Sequence, residues 1–104
     1  MKNSTYTPEI YRNQSRNGIW KKWGMVNKDG SHFTHRDYNA AFLVQAGKCY
    51  LCDRHQSEFK QRLAADHNHA TGQFRGLLCL HCNWRVGILE DKEFCARATI
   101  YIAR

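Results

Sequence analysis

In THRDYNAAFLVQAGKC, residues 34–49, Tyr38, Phe42 and Gln45 recur at helical spacing, which predicts a helix that Gly47 stops. Thr34 and Asp37 have the spacing of a capping box, with Asp standing in for Glu. Further along, RLAADH and QFRGLL flank NHATG. This predicts a β-hairpin over residues 62–78, with Gly72 suited to the turn. The period then changes. In CLHCNWRVGILE, Cys82, Val86 and Leu89 fall at i, i+4 and i+7, so a helix is expected from about 80 to 90. Gly87 inside it costs roughly 1 kcal/mol relative to alanine and points to a bend or a close contact. A last helix starts after Asp91, with Phe94, Ala98, Tyr101 and Ile102 on one face. The first third is less regular. Residues 1–33 are polar and aromatic, punctuated by Gly18, Gly24 and Gly30. There GIWKKWGMVNKDGSHFT reads as a short hairpin with Asp29-Gly30 as its turn. No internal repeat or low-complexity segment is present.

At 104 residues the chain fits one domain, of a size that often needs a staple beyond its small core. A hydrophobic content of 42% excludes a disordered tail. No apolar run approaches a membrane span, and MKNSTYTPEIYRNQ lacks the apolar region of a secretory signal. A soluble, cytoplasmic protein without a membrane partner is therefore expected, with a monomer favoured. Charge adds a partner. Seven Lys/Arg against Glu9 and Asp29 give residues 1–36 a net +5 of the chain's +7. A polyanion fits that surface, and nucleic acid is the commonest one; a basic surface with no partner is the bland alternative. Lys21 and Lys22, beside Trp20 and Trp23, are candidate DNA contacts. The tryptophans either stack on bases or fill a core, and core is the commoner use of an aromatic.

The five cysteines read as metal chemistry, because structural disulfides are rare in a reducing compartment and the count is odd. Cys49-Tyr-Leu-Cys52 and Cys79-Leu-His-Cys82 are two Cys-x-x-Cys knuckles separated by 26 residues. Each turn presents two thiolates to one ion, and together they complete a closed, structural four-sulfur zinc site. Zinc would fix the helix after Cys79 against the 49–52 turn. His81, inside the second knuckle, is then a spectator facing solvent or a phosphate. Cys95 is left over as a small buried hydrophobe.

Asp66, His67, His69 and Asn83 remain. Asp66 and His67 are adjacent, so on a regular strand their side chains leave opposite faces unless the strand ends there. A carboxylate and an amide oxygen are hard ligands suited to Mg²⁺, and a neighbouring histidine can take a proton from water near pH 7. Together with a basic surface, that set describes phosphodiester hydrolysis. The bland reading is a polar hairpin with solvated histidines, and the two knuckles that frame it count against that.

The stretch CYLCDR…ADHNHATGQFRGLLCLHCNWRVGIL resembles the phage recombination endonuclease VII family, within the His-Me finger (HNH, ββα-metal) nucleases. The matching positions are Cys49, Cys52, Asp66, His67, His69, Thr71, Gly72, Arg75 to Cys79, Cys82, Asn83 and Gly87. The resemblance covers roughly residues 34–104. It implies an α+β fold, a small ββα-metal domain over 34–104 stapled by the zinc site with flanking helices; the charge of the first third adds a basic segment over 1–33 as a DNA contact. The resemblance implies His67 as general base, Asp66 and Asn83 as holders of one catalytic Mg²⁺ (Mn²⁺ substituting), and His69 as a residue that contacts or orients the scissile phosphate or assists the metal. Arg75 becomes a candidate phosphate contact, with a plain surface charge as its alternative. The implied activity is DNA endonuclease, leaving 5′-phosphate and 3′-hydroxyl ends, in the host cytoplasm for a phage protein. Family members that resolve four-way junctions carry further helices and a C-terminal domain. One helix follows the site here, so a nickase or a relaxed double-strand endonuclease is the expectation. Two other classes compete: a non-catalytic zinc module that binds nucleic acid, and a zinc-stapled protein–protein adaptor. Neither needs Asp66, His67 and Asn83 together.

Overall fold

The computed structural model describes residues 18–104. The basic residues Lys2, Arg12 and Arg16 lie outside the described residues. Residues 18–23 are helical and form the described part of α1. They are followed by α2 (His35–Val44), a 3-10 turn (Gln56–Glu58), β1 (Ala64–His67), β2 (Phe74–Leu78), α3 (Leu80–Glu90) and α4 (Lys92–Ile102). The strands form a two-stranded antiparallel sheet, and α3 leaves directly from β2, so the centre of the molecule is a ββα unit. That is the His-Me finger arrangement, and helices flank it.

Local chemistry explains the ends of these elements. Asp37 accepts the Thr34 backbone N–H at 2.9 Å, so the expected capping box opens α2. Helix α2 closes at Val44, and both Ala46 (φ 55°) and Gly47 (φ 70°) then take the left-handed conformation. In the hairpin turn, Asn68 Oδ1 accepts from the N–H groups of Ala70 and Thr71. Asp91 caps α4 by accepting the Phe94 N–H at 3.1 Å. Phe94, Tyr101 and Ile102 of α4 stay exposed, and that helix packs against α3. Cys95 is half-buried, its thiol directed at the Ile88 carbonyl 3.1 Å away, so it is less enclosed than a core residue.

The expected hairpin over residues 18–34 is corrected. Its first limb is the helix α1, and only one bridge, Val26 to His32, closes around the turn that contains Asp29 and Gly30. The cause is tertiary. Helical geometry turns Trp20 inward, edge-on to Phe33 at 4.9 Å and stacked with Tyr38 at 5.8 Å. Phe33 in turn stacks on Phe74 of β2 at 4.4 Å. Trp20, Met25, Phe33, Tyr38, Leu63 and Leu77 form one buried cluster that runs on into Cys49, Cys79 and Cys82. The Tyr38 hydroxyl donates to the Leu63 carbonyl, so the one polar atom of that ring is satisfied inside the core.

Gln45 and Val26 tie the flanking segments to the hairpin. The Gln45 side chain accepts the Leu77 N–H (2.9 Å) and donates to the Leu77 carbonyl (3.0 Å). Val26 donates to the Gly72 carbonyl (2.9 Å) and accepts the Phe74 N–H (2.8 Å). Gly72 makes that second contact possible. Its φ is +80°, and a Cβ there would stand 2.4 Å from the Gly24 carbonyl oxygen. Gly72→Ala should therefore destabilise by about 1–2 kcal/mol from the left-handed backbone alone, with the clash in addition. Thermal unfolding read by tryptophan fluorescence should show a lower midpoint and a more exposed Trp20.

Candidate functional site

The two knuckles converge. The sulfur atoms of Cys49, Cys52, Cys79 and Cys82 all lie within 4.8 Å of one another, and Cys52 Sγ is 3.9 Å from Cys79 Sγ. Four sulfurs about 2.3 Å from a tetrahedral zinc stand about 3.8 Å apart, so the cluster has the dimensions of a four-cysteine structural zinc site. All five cysteines are free thiols rather than disulfides. Burial acts to raise the Cys49 thiol, but backbone N–H groups of Cys52, Cys79 and Leu51 outweigh it and bring the thiol down to about 7. The Cys82 N–H points at Cys79 Sγ, 3.4 Å away. His81 is outside this cluster and exposed.

Adjacent to the zinc frame is an open cleft of about 460 Å³ lined by Trp23, Ala65, Asp66, His67, His69, Asn83, Gly87 and Glu90. Every predicted member of the second site is in it. Asp66 and His67 share the cleft because the sheet is irregular between them. Asp66 pairs with Gly76, whereas His67 pairs with Phe74, so Arg75 is an extra residue on β2. A bulge of this kind bends its strand and re-aims the side chains beside it. With β1 ending at His67, the strict alternation of faces is broken where the site needs it. Asn83 arrives from the first turn of α3, directly after the Cys79 and Cys82 anchors in sequence.

Arg75 is the hub of the charges. Its Nε and Nη2 donate to Asp66 Oδ2 (2.7 Å) and Oδ1 (3.1 Å), and its Nη1 donates to Glu90 Oε2 (2.7 Å). The fork fixes the orientation of the buried Asp66 carboxylate. The same guanidinium holds the Glu90 carboxyl below the usual carboxylate range. His69 Nδ1 faces the other Glu90 oxygen at 3.6 Å, and the His69 ring meets His67 edge-on at 4.7 Å. Burial, aided by the neighbouring His69, lowers the His67 pKa from its ordinary value, so its imidazole is neutral at pH 7 and has a lone pair to offer.

Sequence reasoning missed two residues of this cleft. Trp23 is 57% exposed, and its indole stacks on His67 with ring centroids 6.0 Å apart. The expectation of a core role therefore holds for Trp20 and is corrected for Trp23. Its position follows from the end of α1. Gly24 (φ +73°) turns the chain, and the Val26–Gly72 link fixes it beside the hairpin. Glu90 was the other omission. Its seven-residue offset from Asn83, two helical turns, was the available signal.

The family model for recombination endonuclease VII matches residues 22–104. Gene 59 protein of Mycobacterium phage L5 is 42% identical over 71 residues, covering 66% of this chain and 43% of that protein. Gene 59 protein of Mycobacterium phage D29 is 46% identical over 73 residues, covering 68% of this chain and 44% of that protein. The chain thus spans less than half the length of these curated relatives. No solved structure gives a significant match. Among the described residues no helix is long and apolar enough to cross a membrane.

Proposed function

The chain belongs to the recombination endonuclease VII family, and on that premise we propose that it is a metal-dependent DNA endonuclease that hydrolyses phosphodiester bonds in the cleft beside the zinc frame. The observation that carries this reading is that Asp66, His67 and Asn83, supplied by a bulged strand and a zinc-anchored helix, line one cleft.

His67 takes a proton from the attacking water at its unprotonated ring nitrogen. Trp23 and His69 enclose the ring and limit its rotation. Asp66 and Asn83 present oxygen donors of the kind Mg²⁺ or Mn²⁺ takes. A carboxylate has about four lone-pair sites, so the two Arg75 bonds leave Asp66 able to hold a metal. When bound, that ion supplies positive charge to the phosphate and to the leaving 3′-oxygen. His69, exposed at the rim, orients the scissile phosphate. Arg75 uses three of its five N–H donors on carboxylates, and the other two remain for a phosphate oxygen. Water attack with departure of the 3′-oxygen leaves 5′-phosphate and 3′-hydroxyl ends. One cleft addresses one strand at a time, so nicks should precede double-strand breaks. The phage origin of the relatives fits work on DNA in a host cytoplasm.

Supercoiled plasmid tests the proposal. With Mg²⁺ it should give nicked circles first and linear DNA later, and a chelator that leaves the zinc in place should stop both. Intact plasmid under all conditions overturns the reading, and a non-catalytic zinc module that binds nucleic acid takes its place.

Lys21 and Lys22 are exposed on α1 next to Trp23, which favours them as DNA contacts. Each phosphate contact contributes about 0.9 to the slope of log affinity against log salt. Reversing both charges should weaken duplex binding and flatten that slope by about 2. An unchanged slope in a salt titration would put the interface elsewhere.

A further inference from the structure

Gly87 lies in the interior of α3, on the face that turns Asn83 and Glu90 into the cleft. Glycine is among the poorest residues for a helix interior, so its presence there needs a cause. Among the described residues the fold supplies none. Gly87 is not among the glycines of positive φ, and a Cβ built on it would meet nothing within 4 Å. Gly72 and Gly47 differ in both respects, since a Cβ would strike the Gly24 carbonyl at 2.4 Å in one and His55 at 2.7 Å in the other. At those two sites the protein itself demands glycine. At Gly87, among the described residues, the place of the missing side chain is open space, and the glycine lines the cleft.

We infer that Gly87 is where the sugar–phosphate backbone of the bound DNA strand comes into van der Waals contact with α3. The inference deepens the nuclease reading above and rests on it. The exposed indole of Trp23 lines the same cleft and stacks on His67, so the general base is held on the side of the cleft that α3 borders. At the far end of the face, Glu90 carries negative charge that Arg75 already meets. A phosphate is therefore directed to the stretch between Asn83 and Gly87, beside His67. A methyl group at Gly87 would hold the backbone off the helix by on the order of 1 Å, and a misplacement of that size costs about a hundredfold in rate.

The test compares the full chain, zinc bound, with Gly87→Ala and Gly87→Val. Three quantities are read: the melting midpoint, the plasmid nicking rate, and the affinity for a fluorescein-labelled duplex oligonucleotide. Gly87→Ala should melt about 2–8 °C higher, since alanine is the better helix former in a domain of this size, yet nick about a hundredfold more slowly. Gly87→Val should be slower still. A more stable Gly87→Ala protein that nicks at the wild-type rate overturns the inference while the nuclease reading stands. A lower melting midpoint for Gly87→Ala also overturns it, because the fold would then require the glycine. If the wild-type protein binds duplex without cutting it, the nuclease reading fails and affinity decides: a tenfold or greater loss in Gly87→Ala supports the contact, and equal affinity overturns it. Absence of both binding and cutting in the wild type overturns both readings.

Discussion

His67→Ala should yield a folded, zinc-loaded protein that binds DNA and no longer cuts it. The separation follows from where the ring sits. His67 is half-buried at the end of β1, against Trp23 and His69, and is not part of the buried cluster around Tyr38 and Leu63. Its removal opens one side of a solvent-filled cleft, so the midpoint of unfolding should move by a few degrees at most. Chemistry is another matter. Loss of a general base typically costs about 10²–10⁴ in rate, enough to turn complete plasmid nicking into none over the same incubation. Zinc content and duplex affinity, measured on the same preparation, separate lost chemistry from lost structure. Wild-type nicking by a clean His67→Ala preparation would remove this cleft from the reaction.

Cys49→Ser is expected to have the largest effect on stability. Cys49 is 1% exposed and adjoins the buried cluster, so the substitution removes a zinc ligand at the middle of the core. Apparent binding free energies for structural zinc are about 10–16 kcal/mol. Whole domains are stable by about 5–15 kcal/mol. A fold of this size has no reserve against a loss on that scale. The variant should lack a cooperative thermal transition and carry little zinc by elemental analysis, and extracting zinc from the wild type should give the same melt. A zinc-free Cys49→Ser protein with a normal midpoint would show that the core stands without the metal. Cys95→Ser is the control, because that thiol lies outside the four-sulfur cluster and its hydrogen bonds go to backbone carbonyls of α3.

Much of this architecture could be read before any coordinates. The knuckle spacings, the change of period at Cys79 and the Thr34–Asp37 cap are local signals, and local signals survive folding. The shared cleft of Asp66 and His67 was another matter. Whether two adjacent strand residues face together depends on register, and the extra residue, Arg75, declares itself only when β2 is laid beside β1. The partners of Arg75 were hidden for the same reason, since Glu90 lies fifteen residues away and on another element. The helical residues 18–23 read as a hairpin limb in the sequence because Gly18 and Gly24 bracket them and Asp29-Gly30 is a turn signal. The packing of Trp20 on Phe33 and Tyr38 selects the helix, and with it the outward placement of Trp23.

The Gln45 side chain has an effect beyond joining α2 to the sheet. A two-stranded sheet ordinarily exposes unpaired backbone groups along its margins, a template on which another chain can add a strand. Here the Leu77 N–H and carbonyl are taken by the Gln45 amide, the same carbonyl also accepts from the Tyr50 N–H, and the Phe74 N–H is taken by Val26. On the outer margin of β2 the Leu77 groups and the Phe74 N–H are thus already taken, by one side chain and two backbone groups from outside the strand. A neighbouring copy seeking to add a strand at Leu77 or Phe74 finds these groups engaged, and Gln45→Ala would free the Leu77 N–H for one.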